Sequence, residues 1–480
     1  MVGENEPVTT SSSTEHRIVI IGGGPGGYEA ARAGRQLGAE VILIEDNGIG
    51  GNAVLTDVVP SKTLIATAEA AQRVAQAQSL GVTFSIDKVA VQPKIEIDLE
   101  AVNRRLLALA KSQSEDMLET LKNEGVRVIS GRGRLDGNHH VIVEPTLGGA
   151  PERIEAKTII VAVGAHPREV PGSKPDGDRI FTWKQLYNLK TLPEHMIVVG
   201  SGVTGAEFAS AYLQLGSKVT LISSRDKVLP GNDADAAELI EDVFRRGGMQ
   251  ILNKSRAVAV VNTGSGVRVT LEGGQVVEGS HCLMAVGAIP NTEGLGLEEA
   301  GVKLTDSGHV IANKVARTSR ANVYAVGDCS TAMPLASVSA MQGRTAVYHT
   351  MGDVAAPTRM RNVAANVFTA PEIASVGWSQ AEIEQGLVRG EIQEIQLDTN
   401  PRAKMYGIRE GFIKLFASIG SGTVIGGVVV APSASDLIYP IAVAIENRLT
   451  VDQLARTYTV YPSLSGSIAE AASALHQPID

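Results

Sequence analysis

The sequence predicts an α/β protein in which two Rossmann-like domains are followed by a C-terminal α+β domain. Three observations predict it: a strand–glycine turn–helix–strand pattern at residues 17–45, its return at 196–222, and a change to β-rich segments followed by helices from about Arg359. One such unit recurring at long separation points to two related domains rather than a solenoid. The 480 residues suit about three domains at ~150 residues each.

Residues 1–16, MVGENEPVTTSSSTEH, are polar and lack the basic and apolar blocks of a secretory signal, so a disordered tail and a cytoplasmic location are expected. HRIVIIGGGPGG, YEAARAGRQLGA and EVILIE then read as strand with glycine turn, helix, and strand. Their continuous β-branched runs fit strands of a parallel sheet covered on both faces. Residues 61–80 and 99–124 carry helical patterning, 126–143 are β-rich, and TIIVAVGA (158–165) is another buried strand. MIVVGSGVTG, AEFASAYLQLG and SKVTLI repeat the opening unit, and ANVYAVGD (321–328) reads as a strand closing the first sheet. The expected domains are 17–165 with 291–357, then 166–290, then 358–480.

Composition excludes several classes of partner. With a net charge of −9 and no block of Lys and Arg, nucleic acid is not expected. No uncharged apolar run is long enough to span a bilayer. Cys282 and Cys329 are too few for a disulfide framework or a metal site and are expected to be small buried residues.

Gly22, Gly24 and Gly27 form G-x-G-x-x-G between a strand and a helix. The first glycine permits the tight turn, the second lets a pyrophosphate approach the backbone, and the third lets helix pack on strand. The helix N-terminus adds unpaired N–H donors and the positive end of its dipole. Glu45 ends the next strand, where a carboxylate accepts hydrogen bonds from ribose hydroxyls. A lone glycine pattern is weak, but strand, helix and acid together make a dinucleotide site.

Gly200, Gly202 and Gly205 repeat the arrangement, yet Ser223, Ser224 and Arg225 stand where the acid would be. Without a carboxylate a ribose 2′-phosphate is not repelled, and Arg225 either pairs with it or points into solvent. NADPH is expected to be accepted, with NADH left open.

With these motifs the chain resembles the flavoprotein disulfide reductase family, which includes lipoamide dehydrogenase, glutathione reductase and mercuric reductase. The resemblance runs from His16 to the C-terminus. It rests on GGGPGGYEAA, PSK at 60–62, GSGVTGAEFAS, AVGAIPN at 285–291, VYAVGD at 323–328, FTAPEIASVG at 368–377, GFIKLF at 411–416 and YPSLSGSIAEAA at 461–472. It implies that the first domain binds FAD and the second NAD(P)H. The third would be the interface of a homodimer whose partner chain completes each active site; whether dimers pair further into a tetramer is left open.

By position, Lys62 and Glu207 resemble the family's ion pair beside the flavin N5. Independently, Glu207 is expected in the first turn of the second dinucleotide helix, where the dipole favours a carboxylate, and a buried lysine needs such a partner. The alternative is an unrelated surface lysine after Pro-Ser. Asp328 resembles the residue that binds the flavin's ribitol hydroxyls. Gly50, Gly51, Gly133, Gly164, Ala336 and Gly287 complete the set of residues expected to contact cofactor.

The departures from the family are equally informative. Its redox cysteines would stand at Ala53 and Val58, which form neither disulfide nor thiolate. Its C-terminal His-Pro motif is replaced, leaving Tyr461 and Gly466, and a tyrosine with a pKa near ~10 is no base at neutral pH. Dithiol chemistry is therefore not expected, while hydride transfer needs only positioning.

Ala53, Val54, Leu55 and Val58 would offer a flat, apolar acceptor such as a quinone a suitable surface. Tyr461, from the partner subunit, either donates a hydrogen bond to a quinone oxygen or merely packs. The whole pattern is similar to the actinobacterial NAD(P)H quinone reductase branch of lipoamide-dehydrogenase-like proteins. The expected partner is thus a quinone or another small diffusible electron acceptor. Two other readings stand beside it: an oxidase or transhydrogenase, and a redox-inactive cofactor-binding sensor. Transhydrogenase relatives keep the histidine motif, and a sensor has no need of the Lys62–Glu207 pair.

Overall fold

A computed structural model describes residues 16–87, 89–91 and 94–476. The expected tail therefore lies outside the described residues, apart from His16. The chain divides into two compact units, one of Met1–Pro60, Leu107–His166 and Ala288–Arg359, the other of Ser61–Leu106, Pro167–Gly287 and Met360–Asp480.

The first unit is built on a seven-stranded sheet. Its strands run in the order Val323–Ala325, Thr158–Val161, Arg17–Ile21, Glu40–Glu45, Arg127–Leu135, His140–Pro145 and Glu152–Glu155. The first five pair in parallel, the last three antiparallel. VYAVGD thus closes this sheet, as its pattern predicts. Side chains alternate between sheet faces. Ile18 and Ile20 join Ala30, Ala31 and Val347 in one buried cluster, while Val19 and Ile21 join Val141 and Ile159 in another. Burial on both faces explains why this strand reads as an unbroken apolar run.

The second unit repeats the device. A parallel sheet runs Ile180–Phe181, His281–Met284, His195–Val199, Lys218–Ile222 and Gln250–Leu252. Met196 and Val198 pack with Ala206 and Ala209, and Ile197 and Val199 pack with Val260 and Val269. An antiparallel sheet follows, in the order Ala365–Val367, Glu372–Gly377, Val424–Ala431, Phe412–Ser418 and Gly390–Gln396. One of its faces packs Ile413 and Leu415 against helix residues Ile441, Ile468 and Ala471. The other places Phe412, Phe416, Val428 and Val430 in the same cluster as Ala206 and Ala209. This shared core makes the expected second and third domains one compact unit.

Two features were not foreseen from the sequence. One is the hairpin of Phe84–Ile86 and Val89–Val91, the other the antiparallel meander of Ala257–Asn262, Val267–Leu271 and Val276–Gly279. Among the described residues no helix is long and apolar enough to cross a membrane.

His195 and His281 begin neighbouring parallel strands, at the end of the sheet away from the glycine turn. Burial pushes both imidazoles below the ordinary value; Lys218 adds to this at His195 and Arg179 at His281. The unfolded chain takes up these protons near pH ~6.5, before the folded chain does, so stability falls as pH drops through that value. The urea midpoint is expected to fall between pH 7.5 and 5.5, and a His195→Gln/His281→Asn variant to lose part of that slope. An unaltered slope in the variant would show that these histidines are not responsible.

Candidate cofactor-binding and redox site

The two glycine turns have one geometry. Gly22 has φ +104° and Gly200 φ +111°, a left-handed region that strains any residue with a Cβ. A Cβ on Gly27 would overlap the carbonyl oxygen of Gly22, and one on Gly205 that of Gly200. A Cβ on Gly24 or Gly202 would meet no protein atom within 4 Å. The third glycine of each fingerprint is thus required by the fold, whereas the second faces open space.

The helices that follow, Pro25–Gln36 and Val203–Leu215, start at Gly24 and Gly202 with no side-chain cap. Helix Ala234–Arg246, by contrast, is capped by the Asp233 carboxylate. Uncapped first-turn N–H groups are donors without side-chain acceptors, which fits a phosphate ligand.

The strand ends differ. Glu45 accepts the Gly23 N–H at 2.6 Å through Oε2 and the Asn47 N–H at 2.8 Å through Oε1. At the second site Ser223 is fully buried. Its hydroxyl lies 2.7 Å from that of Ser201 and accepts the Arg225 N–H at 3.1 Å. Ser223 therefore shapes the loop from within, while Ser224 and Arg225 are exposed on it.

The remaining expected contact residues of the first unit lie at ends and turns of the sheet. Asp328 follows strand Val323–Ala325, and its carboxylate accepts no hydrogen bond among the described residues. Burial pushes its pKa up, opposed by His309. A mostly buried acid without a partner fits polyol hydroxyls, so the residues present suit FAD. Ala336 starts the uncapped helix Ala336–Met351, and Gly164, at φ +65°, offers its carbonyl to the Asn291 N–H at 3.0 Å. Gly50 and Gly51 begin the short helix Gly51–Leu55, in which Val54 is buried and Ala53 partly so. Gly133 is buried within strand Arg127–Leu135. In the second unit Gly287 is exposed at φ +99°, just after strand His281–Met284.

Lys62, on helix Val58–Gln76, and Glu207, on helix Val203–Leu215, meet with Nζ 2.8 Å from Oε2. Glu207 is the helix's fifth residue, beyond the first turn, so the dipole is not what holds it; the partners are. Its Oε1 accepts the Phe368 N–H at 2.9 Å, and the Phe368 ring centroid lies 4.8 Å from Lys62 Nζ. The Glu207 side chain is 5% exposed and that of Lys62 25%, so the acid is the more deeply buried partner. Phe368 lies in a recognised motif, but nothing in the sequence signals its role as anchor. Tyr461 stands apart, 82% exposed on a surface stretch with Tyr458 and Val460. Val58 is exposed at the start of its helix.

Neither cysteine takes part in a disulfide; both are buried. Burial raises the Cys282 thiol and lifts that of Cys329 to about 11.

Paired dinucleotide turns, an acid without a hydrogen-bond partner and a part-buried ion pair fit an oxidoreductase that binds FAD and a pyridine nucleotide. Comparison with known proteins gives the family. Residues 16–343 match the pyridine nucleotide-disulphide oxidoreductase model and 363–472 the dimerisation domain of the same family. The chain belongs to this family. It is 49% identical over 474 residues to the NAD(P)H dehydrogenase (quinone) of Mycobacterium tuberculosis, covering 97% of this chain and 95% of that one. The dihydrolipoyl dehydrogenase of Chlamydia muridarum is 32% identical over 472 residues, covering 96% and 98%. The crystal structure of LpdA from Mycobacterium tuberculosis superposes with a TM-score of 0.91 at 48% identity, covering 96% of this chain and 100% of that one. The Escherichia coli flavoprotein disulfide reductase RclA, at 22% identity and a TM-score of 0.83 over 95% of this chain and 99% of its own, shares the fold.

The glycines yield a contrast. Gly27→Ala is expected to unfold the first unit, because its Cβ has no room. Gly24→Ala should keep the far-UV circular dichroism and lose most bound FAD, read from flavin absorbance per chain. Full FAD retention in Gly24→Ala would remove this glycine from the site.

Proposed function

We propose that the protein is a cytoplasmic, homodimeric NAD(P)H:quinone oxidoreductase of three functional domains, as the sequence divides them. One observation carries the reading: the Lys62–Glu207 pair is intact, while Ala53 and Val58 occupy the positions at which the family resemblance expects cysteines. The relative from Mycobacterium tuberculosis that is 49% identical is itself named for quinone reduction.

Bound FAD would supply two-electron transfer between a nicotinamide and a second substrate. Every other task falls to the chain. Gly22, Gly24 and Gly27 admit one pyrophosphate, and Gly200, Gly202 and Gly205 the other. Glu45 and Asp328 accept hydroxyls along the first ligand. The Lys62 ammonium favours the more negative, reduced state of its surroundings, and Glu207 holds that ammonium in place. The balance is NAD(P)H, a proton and a quinone giving NAD(P)⁺ and hydroquinone. Tyr461 of the second copy donates a hydrogen bond to a quinone oxygen; its exposure in a single chain is consistent with a role across the dimer. The exposed Arg225 and the missing carboxylate favour NADPH over NADH.

The test is anaerobic addition of NADPH followed by an acceptor. The flavin absorbance should bleach within seconds and return with menadione faster than with air-saturated buffer. No bleaching would leave a cofactor-binding sensor, and faster return with air an oxidase. Lys62→Ala is expected to slow bleaching on the order of a hundredfold, the loss seen when one preorganised charge is removed. Unchanged bleaching and FAD content would remove Lys62 from the site.

A further inference from the structure

The strand Phe412–Ser418 carries a charge on a buried face. Phe412, Lys414 and Phe416 alternate onto the side that packs against the second dinucleotide fold, and the Lys414 side chain is 1% exposed. Its ammonium donates to Asp233 Oδ1 at 2.9 Å and Oδ2 at 3.2 Å, to Gln380 Oε1 at 2.7 Å, and to Asp235. Glu394 lies 3.8 Å away, and the Phe412 ring centroid 5.1 Å. Burial alone would lower the lysine pKa; its hydrogen bonds to Asp235 and Asp233, together with their charges, outweigh that and raise it. The ammonium therefore stays charged inside the protein.

A purely structural role explains such a cluster poorly, since well-packed apolar side chains often stabilise as well or better than a buried ion pair. What the pair gives is a fixed position, and its carboxylate end belongs to a helix start. Asp233 also accepts the N–H groups of Asp235 and Ala236 at 3.1 Å each, capping helix Ala234–Arg246. About two turns along the helix, Glu241 accepts the Val228 N–H at 2.6 Å and the Asn253 side-chain amide at 3.1 Å. Leu229 N–H reaches Ser201 O at 2.8 Å, within the second glycine turn. Ser201 and Ser223 join hydroxyls at 2.7 Å, and Ser223 holds the Arg225 N–H. A continuous set of hydrogen bonds thus runs from Lys414 to the loop at the end of strand Lys218–Ile222.

We propose that Lys414 is a positioning residue for the pyridine nucleotide: by pinning Asp233 it fixes helix Ala234–Arg246, and through Glu241 and Leu229 the loop 223–232 that meets the nucleotide's ribose. The inference rests on the assignment of the second glycine turn to NAD(P)H. It concerns binding and not electron transfer, because Lys62 and Glu207 are held by other contacts.

The experiment compares the FAD-loaded wild type with Lys414→Met and Asp235→Asn in steady-state kinetics with menadione. Lys414→Met is expected to raise KM for NADPH about tenfold while kcat stays within about twofold, as for a small misplacement of a binding loop. Asp235→Asn keeps the Asp233 cap and alters a half-exposed side chain, so it should fold normally and raise KM less, in the same direction. Amide hydrogen exchange should quicken across 224–232 in both variants and stay unchanged across 22–27. If Lys414→Met fails to retain FAD, Asp235→Asn decides alone. Unchanged KM in Asp235→Asn, or equal losses of kcat and FAD content with KM preserved, would overturn the proposal. Gly202→Ala separates the two ideas: if it too leaves KM unchanged, the nucleotide assignment of the second turn fails and the role of Lys414 with it, whereas a raised KM in Gly202→Ala beside an unchanged one in Asp235→Asn overturns the role of Lys414 alone.

Discussion

The Glu207 carboxylate is out of reach of water, and a charge in that setting is tolerated only with good partners. Those partners come from two other stretches of the second unit: the Lys62 ammonium from helix Val58–Gln76 and the Phe368 N–H from beyond strand Ala365–Val367. Two residues further along that stretch, Ala370 N–H reaches Ser210 Oγ at 3.2 Å, one turn along the helix from Glu207. Three segments far apart in sequence are thereby set in register by one buried acid. The contact that satisfies Glu207 also aims Lys62, so stability and electrostatics are one problem with one solution. Shifting Phe368 would loosen the ammonium without touching either charge.

The two dinucleotide turns separate what the fold needs from what the ligand needs. In both, the first and third glycines are forced by the backbone, through a positive φ and a helix pressed onto a strand. These constraints are indifferent to the ligand, which is why the two copies agree so closely. The two copies diverge one strand further on. Glu45 keeps a carboxylate against the first turn, whereas Ser223 turns inward to hold Ser201 and leaves the outer face of its loop to Ser224 and Arg225. One backbone design thus carries two strand ends of different chemistry.

Much of this was legible in the sequence, for definite reasons. Apolar runs such as RIVII and HMIVV could only be strands covered on both faces, and the glycine spacing fixed where each strand gives way to a helix. The pairing of Lys62 with Glu207, 145 positions apart, was readable through family resemblance, whereas the independent argument from the helix's first turn placed Glu207 too early in the helix. Phe368 escaped notice because it acts through its backbone N–H, which any residue but proline supplies. The burial of Ser223 was equally hidden: a serine after a strand end reads as a polar loop residue until Ser201 is seen facing it. The merging of the second nucleotide fold with the C-terminal sheet depends on Phe412, Phe416 and Val428 sharing a core with Ala206, a contact no local pattern encodes. Lys414 did leave a trace, as a lysine between two phenylalanines on one strand face, where a solvated charge is out of place.

The missing thiols constrain the chemistry more tightly than the residues that replace them. Burial raises the Cys329 thiol to about 11, which disfavours the thiolate that a redox pair needs. Cys282 is buried as completely and its thiol is raised further. No sulfur of the described chain is therefore able to relay electrons, and the second substrate has to meet the cofactor directly. Direct contact changes what the neighbouring residues must do. A disulfide relay needs a thiolate and a base to move its protons, whereas a planar acceptor needs an apolar surface and a donor at one oxygen. Alanine and valine at 53 and 58 carry no group that could serve as such a thiolate, and a tyrosine at 461 can donate a hydrogen bond without having to ionise. Without thiols there is no thiolate whose protons a histidine must move, so the histidine loses its task along with the cysteines.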